Sequence, residues 1–148
     1  MELLIRESIL DDIQSILTLL YDLDRPRPLN DGEVKIFKNR ISSYFLDSQK
    51  NIIVAEQNKT IVGVVSIIYL QRLNHVKTEM YIPELIVTEK LRYSGIGKKL
   101  IQYCVELAKK KNCYRIRLES GNQRAESHKF YKHIGFEQSA QFFSKHIS

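Results

Sequence analysis

Cysteine is nearly missing from this sequence: Cys104 and Cys113 stand alone, without CxxC spacing and without a histidine cluster beside them. A disulfide framework or a zinc site needs more than that, so both read as buried or incidental thiols in a reducing cytosol. Histidine does not fill the gap. His128 and His133 are five apart and do not share a helix face, with no Glu or Cys placed to complete a ligand set, so no metal site is expected. Apolar runs such as Thr60 to Leu70 fall well short of the roughly 20 residues that cross a bilayer, and no membrane span is expected. Met1 to Glu7 carries Glu2, Arg6 and Glu7 and lacks the basic-then-apolar order of a secretion signal, which points away from export and towards the cytoplasm. Repeats, low-complexity tracts and linkers are also missing, so residues 1–148 are expected to form a single domain.

What is present is an ordinary globular composition, with 43% hydrophobic and 27% charged residues, which sets disordered and fibrous classes aside. The net charge of +6 suits a nucleic acid, an anionic cofactor or plain solubility. No zinc-finger spacing or RNA-recognition motif supports the first, and no nucleic-acid partner is expected. A homodimer is compatible with the sequence without being required by it.

Leu3 to Ile5 opens a short strand, and Ile13, Ile16, Leu17 and Leu20 recur at helical spacing behind Asp11 and Asp12. Asp24 to Gly32 concentrates Pro26, Pro28, Asn30, Asp31 and Gly32 and predicts an exposed loop. Val34, Phe37, Ile41, Tyr44 and Phe45 form the apolar stripe of a second helix. Ile52 to Glu56 and Ile61 to Leu70, joined by Gln57, Asn58 and Lys59, predict a hairpin at the centre of a sheet. A further strand is expected over Met80 to Val87. Beyond it, Leu100, Ile101, Cys104, Leu107 and Ala108 mark an amphipathic helix stopped near Asn112, whose terminal Lys109 to Lys111 read as a solvated, dipole-favoured end. Tyr114, Ile116 and Leu118 then alternate with Arg115, Arg117 and Glu119 as a half-buried strand. Arg124 to His133 predicts a short helix ended at Gly135, and the tail Phe136 to Ile147 is expected to supply one or two final strands.

The most informative stretch runs from Glu84 through the strand Leu85, Ile86, Val87 to Arg92, Tyr93, Ser94, Gly95, Ile96, Gly97 and Lys98. A helix start offers unpaired N–H groups and a partial positive charge, and glycines let a phosphate approach them closely. The Lys-Ser/Thr ending of a P-loop is missing, and Leu100 stands where a dinucleotide fingerprint needs its last glycine. Arg-x-x-Gly-x-Gly at Arg92, Gly95 and Gly97 instead resembles the pyrophosphate motif of the GNAT family of N-acetyltransferases. Asn122, Ser127, His128, Phe130, Tyr131, Gly135 and Phe136 resemble the later signature of that family, at its separation from the first. The likeness spans essentially the whole chain, with the first 50 residues matching in pattern alone.

The resemblance implies an α/β fold: a central mixed, mostly antiparallel sheet of six or seven strands flanked by about four helices, splayed between the fourth and fifth strands. It implies acetyl-CoA as co-substrate, with pantetheine in the cleft beside Leu85, Ile86 and Val87, an oxyanion bound by N–H groups near Ile86 and Val87, and the diphosphate on Arg92 to Lys98. Asn122 and Ser127 would complete the cofactor set. Tyr131 matches the general acid that protonates the departing thiolate; a phenol of pKa about 10 can protonate a thiolate of about 8.5 where water is scarce. The attacking amine, of pKa about 10.4 when lysine-like, needs a base or a water chain. Glu84 is the first candidate and Glu79 the alternate, because the neighbouring position, acidic in several branches, is Pro83. The implied activity is acetyl transfer to a primary amine in a ternary complex. The acceptor is a small molecule or a peptide amine, and Ser127 to Tyr131 with Phe143, Ser144 and Lys145 is similar to small-molecule branches, including aminoalkylphosphonate acetyltransferases. The opposing functions are a non-catalytic acyl-CoA-binding regulator, which would bind the cofactor without releasing thiol, and a basic nucleic-acid module, whose binding would be salt-sensitive.

Overall fold

The described residues, 2–23, 25–120 and 124–148 of the computed structural model, build six strands and four α-helices. The strands are β1 (Leu3–Glu7), β2 (Lys50–Gln57), β3 (Thr60–Gln71), β4 (Thr78–Ile82), β5 (Leu85–Val87) and β6 (Cys113–Leu118). The helices are α1 (Ile13–Leu20), α2 (Asp31–Ser43), α3 (Ile96–Lys110) and α4 (Ala125–His133). Packing separates the chain into two units, Met1–Arg117 and Leu118–Ser148.

In the first unit the sheet order is β1-β2-β3-β4-β6, with β5 also paired to β3. The β2–β3 hairpin sets the pattern. Its two loop residues, Asn58 and Lys59, have φ of 53° and 62°, the left-handed pair whose twist matches that of the flanking strands. The expected strand Met80 to Val87 is broken in two. Ile68 pairs with Tyr81 and Val65 with Leu85, so three steps along β3 face four along its partner, and one extra residue is accommodated at Pro83–Glu84. Proline has no N–H to give to a ladder, which makes a bulge its natural place in a sheet.

Beyond that bulge the sheet opens: β6 neighbours β4, whereas β5 has no neighbour other than β3 among the described residues. This is the splay that the resemblance implies. On one face Val54, Val64 and Ile86 lie in register and join Ile52, Ile16, Leu17, Leu19 and Ile41 in a core beneath α1 and α2. On the other face α3 presses close to β3 at Gly63, where a Cβ would stand 3.0 Å from Leu100 Cδ1. Ile96, Leu100, Ile101, Cys104 and Ala108 are its buried stripe, and burial pushes the Cys104 thiol up to about 12, leaving it inert at neutral pH.

Two boundaries differ from expectation. Helix α2 starts at Asp31 rather than after Gly32, because Asn30 caps it: its side chain accepts from Glu33 N–H at 2.9 Å, while the Glu33 carboxylate accepts from Leu29 N–H at 3.0 Å. The tail beyond Phe136 forms no strand, and Phe143 and Ile147 are 86% and 89% exposed. Isolated apolar residues among serines and glutamines give a strand no face to bury.

In the second unit α4 ends in a Schellman motif. Gly135 takes φ of 100°, its N–H donates to Lys132 O at 3.2 Å, and Phe136 N–H donates to Tyr131 O at 2.9 Å.

Arg6 ties β1 to the start of α1 through two bonds to Asp12, at 2.8 and 3.0 Å, and reaches Glu56 at 3.0 Å. The hydrogen bond from Arg6 holds the Asp12 carboxyl below its usual range against the opposing effect of burial. A depressed carboxyl stabilises the fold above its unfolded pKa of about 3.9 and loses that contribution as pH falls through the folded value. Asp12→Asn should therefore cost about 2 kcal/mol at pH 7 in urea unfolding, and the gap from wild type should narrow below about pH 4.

Candidate functional site

The bulge brings Glu84 onto the sheet face that α1 and α2 cover, next to Ser66. Ser66 is a buried polar residue among the valines and isoleucines of β3 and needs a partner. It finds a reciprocal one: its hydroxyl donates to Glu84 Oε1 and accepts from Glu84 N–H at 3.0 Å, while its own N–H donates to Glu84 O at 2.9 Å. From the loop between α1 and α2, Arg25 reaches the same place. Its Nη1 lies 2.5 Å from Glu84 Oε2 and its Nη2 donates to Pro83 O at 3.0 Å. Tyr44 flanks the group, its phenol raised to about 12 by burial and by the Glu84 charge.

Glu79 is arranged differently. It is fully buried, and its carboxylate takes Arg72 at 2.7 Å, Arg115, Arg117 at 3.7 Å and the Tyr114 hydroxyl at 3.4 Å. Burial alone would raise its pKa, but the hydrogen bonds and charges of Arg72 and Arg115 outweigh it and hold the carboxyl below its usual range. A carboxylate so surrounded is a poor proton acceptor. Of the two acidic candidates, Glu84 is the one with a carboxylate at the bulge.

Along β5, Ser66 N–H bonds Glu84 O, and Thr88 N–H bonds Val62 O at 2.8 Å. Antiparallel alternation then gives the backbone groups of Ile86 to β3 as well and turns those of Leu85 and Val87 to the opposite, open side. The outward N–H groups are thus those of Leu85 and Val87, and Ile86 contributes a buried side chain to the core instead.

The segment after β5 is a turn followed by a bare helix start. Arg92 Nε donates to Val87 O at 3.4 Å, Ser94 Oγ donates to Leu91 O, and Tyr93, with φ of 67°, is 91% exposed. Gly95 is the N-cap of α3 at φ of 90° and offers no side-chain cap. The first helical bond is Lys99 N–H to Gly95 O at 3.1 Å, so the N–H groups of Gly95, Ile96, Gly97 and Lys98 have no protein acceptor among the described residues. Four free donors at the positive end of a 15-residue helix form an anion cradle. Ile96 serves it through its backbone, since its side chain is buried near Gly63, while Lys98 is exposed.

Tyr131 and Ser127 belong to the second unit, on α4. The Tyr131 ring meets Phe130 and Phe136 edge-on, with centroids 5.2 and 5.6 Å away, and burial raises its phenol to about 12. It is therefore fully protonated at neutral pH, as an acid must be. Asn122 lies outside the described residues.

Sequence reasoning passed over Ser66, Tyr44 and Arg25. Ser66 carried a signal, as the one serine inside Ile61 to Leu70; Arg25 carried only its place in the loop Asp24 to Gly32, near which the resemblance puts the substrate, and Tyr44 carried none, because only the fold brings these side chains to Glu84.

The model of the acetyltransferase (GNAT) family matches residues 14–136. Among curated proteins the chain is 26% identical over 141 residues to the aminoalkylphosphonate N-acetyltransferase of Salmonella typhimurium, covering 95% of this chain and 89% of that one. Among solved structures it resembles a transcriptional regulator from Bacillus halodurans, with TM-score 0.90 and 23% identity over 99% of this chain and 100% of the other. It also resembles glucosamine-6-phosphate N-acetyltransferase from Arabidopsis thaliana, with TM-score 0.82 and 21% identity over the full length of both. At these identities the structural likenesses establish the fold.

Gly95→Val places a β-branched residue at φ of 90°, a conformation such a side chain resists, and so disturbs the turn that leaves these N–H groups bare. Calorimetry should show acetyl-CoA affinity falling at least about tenfold, with stability lower by about 1–2 kcal/mol; unchanged affinity would remove this segment from the site.

Proposed function

Because the chain belongs to the acetyltransferase (GNAT) family and is accordingly an acetyl-CoA-dependent N-acetyltransferase, we propose that it acetylates the primary amine of a small molecule by direct attack within a ternary complex. We further propose that residues 1–148 act as one domain, a reading favoured by the extent of the family match, which runs through both packed units. The observation that carries the mechanism is the juxtaposition of a fixed carboxylate, Glu84, with the outward backbone of Leu85 and Val87 on a strand that no other described strand pairs on that side.

In this mechanism the diphosphate of acetyl-CoA lies against the N–H groups of Gly95 to Lys98, with Arg92 and Lys98 adding positive charge. Leu85 and Val87 bond the pantetheine amides and the thioester oxygen, so that the oxyanion of the tetrahedral intermediate gains donors already in place. Ser127 and Asn122 complete the cofactor contacts on the strength of the family signature. Glu84 receives the acceptor ammonium and takes one proton from it. Attack consumes the neutral amine as it forms, which draws the transfer forward. The nitrogen forms its bond to the acetyl carbon and the carbon–sulfur bond breaks; in the role that the family signature gives it, Tyr131 passes its phenolic proton to the departing thiolate, and the second proton of the attacking nitrogen returns to the tyrosinate as the amide forms.

Tyr131→Phe should lower kcat about 100-fold while acetyl-CoA affinity stays within a few-fold, because the ring packing with Phe130 and Phe136 is retained. Full turnover in that variant across the pH range would dismiss Tyr131 as the acid. Glu84→Gln should reduce kcat by a similar factor while acetyl-CoA affinity stays within a few-fold; a turnover like that of wild type would assign the proton to another acceptor.

A further inference from the structure

Arg25 stands where the incoming ammonium has to be. Glu84 has two carboxylate oxygens, one bonded by Ser66 from inside the fold and the other by Arg25 from the loop. Ser66 is buried and cannot leave, whereas Arg25 is 55% exposed and held at its tip by Glu84 and the Pro83 carbonyl. An exposed ion pair of this kind is held weakly, because water competes for both charges, so it opens readily. Seating the acceptor there is harder. An ammonium on Glu84 would lie beside a guanidinium that has lost its counter-charge, and two like charges a few ångströms apart near a protein surface repel. An acceptor with an anionic group close to its amine removes that repulsion, because each half of the opened pair then receives an opposite charge.

Resting on the acetyl-transfer reading of this site, we propose that the acceptor is a short zwitterion, a primary amine joined by a small alkyl spacer to a phosphonate, phosphate or carboxylate, and that Arg25 is the residue that selects it. The ammonium takes the place of Arg25 on Glu84, and the anion takes the place of Glu84 on Arg25. The guanidinium already presents Nη1 and Nη2 side by side to two oxygens of the bulge, the fork that a bidentate anion matches. Arg27, two residues along the same loop, supplies a built-in comparison. It carries the same charge but lies over the Tyr21 ring, 5.3 Å from its centroid, and donates to Tyr21 O at 3.3 Å.

The test measures thiol release with an aminoalkylphosphonate and with the aminoalkanol of equal chain length, for wild type, Arg25→Gln and Arg27→Gln. Wild type should prefer the phosphonate. Arg25→Gln should raise its KM about 10- to 100-fold with kcat little changed, as expected for a lost charged hydrogen bond. The same variant should lower the KM of the aminoalkanol, since nothing then competes for Glu84, and Arg27→Gln should leave both acceptors as in wild type. A wild-type preference for the aminoalkanol, an equal effect of Arg25→Gln on both acceptors, or the same shift in Arg27→Gln would overturn the inference. Refusal of the phosphonate while other amines are acetylated overturns it alone; release of thiol with no amine whatever overturns the acetyl-transfer reading beneath it.

Discussion

One surplus residue in a strand governs the rest. Had β4 run straight into β5, Pro83 would have left a missing bond in the middle of a ladder and Glu84 would have faced the opposite side of the sheet, since a shift of one residue exchanges the two faces. The bulge absorbs the proline, turns Glu84 towards Ser66 and frees one side of β5. The opening in the sheet and the placement of its carboxylate are thus a single event. They are also fixed from two directions, by the register of β3 with β5 and by the three bonds between Ser66 and Glu84.

The charges divide along the same line. Glu79 and Glu84 lie five residues apart on this strand pair, and each meets arginine, but the consequences differ. A fully buried carboxylate needs saturation, and Glu79 obtains it from Arg72 and Arg115 with Arg117 near by. Glu84 keeps one oxygen towards the surface, where its partner is a single exposed side chain. Burial, more than residue type, decides which acid is locked into the structure and which keeps an oxygen within reach of the surface.

Elements with a strong period were legible in the sequence: the hairpin, the stripe of α3 with Cys104 inside it, and the stop at Asn112, which takes φ of 56°. The glycine motif was legible too, because a bare helix start has a local signature. Three things were not. The division of Met80 to Val87 into two strands depends on the register with β3, which a single segment does not encode, although Pro83 marked the place. The cap at Asn30 was hidden inside a run of breakers that looked uniformly loop-like. The grouping of Arg25, Tyr44 and Ser66 on Glu84 joins four parts of the chain separated by up to 59 residues, and no local pattern records such a meeting.

The Schellman ending of α4 gives the late signature a meaning beyond catalysis. Tyr131, Gly135 and Phe136 sit at the three positions that a left-handed helix stop prescribes: the residue whose carbonyl closes the outer bond, the glycine, and the aromatic that packs back. A phenylalanine at 131 would satisfy every one of those demands. A pattern search built on this signature therefore detects how a helix finishes, whichever of the two aromatic residues stands at 131.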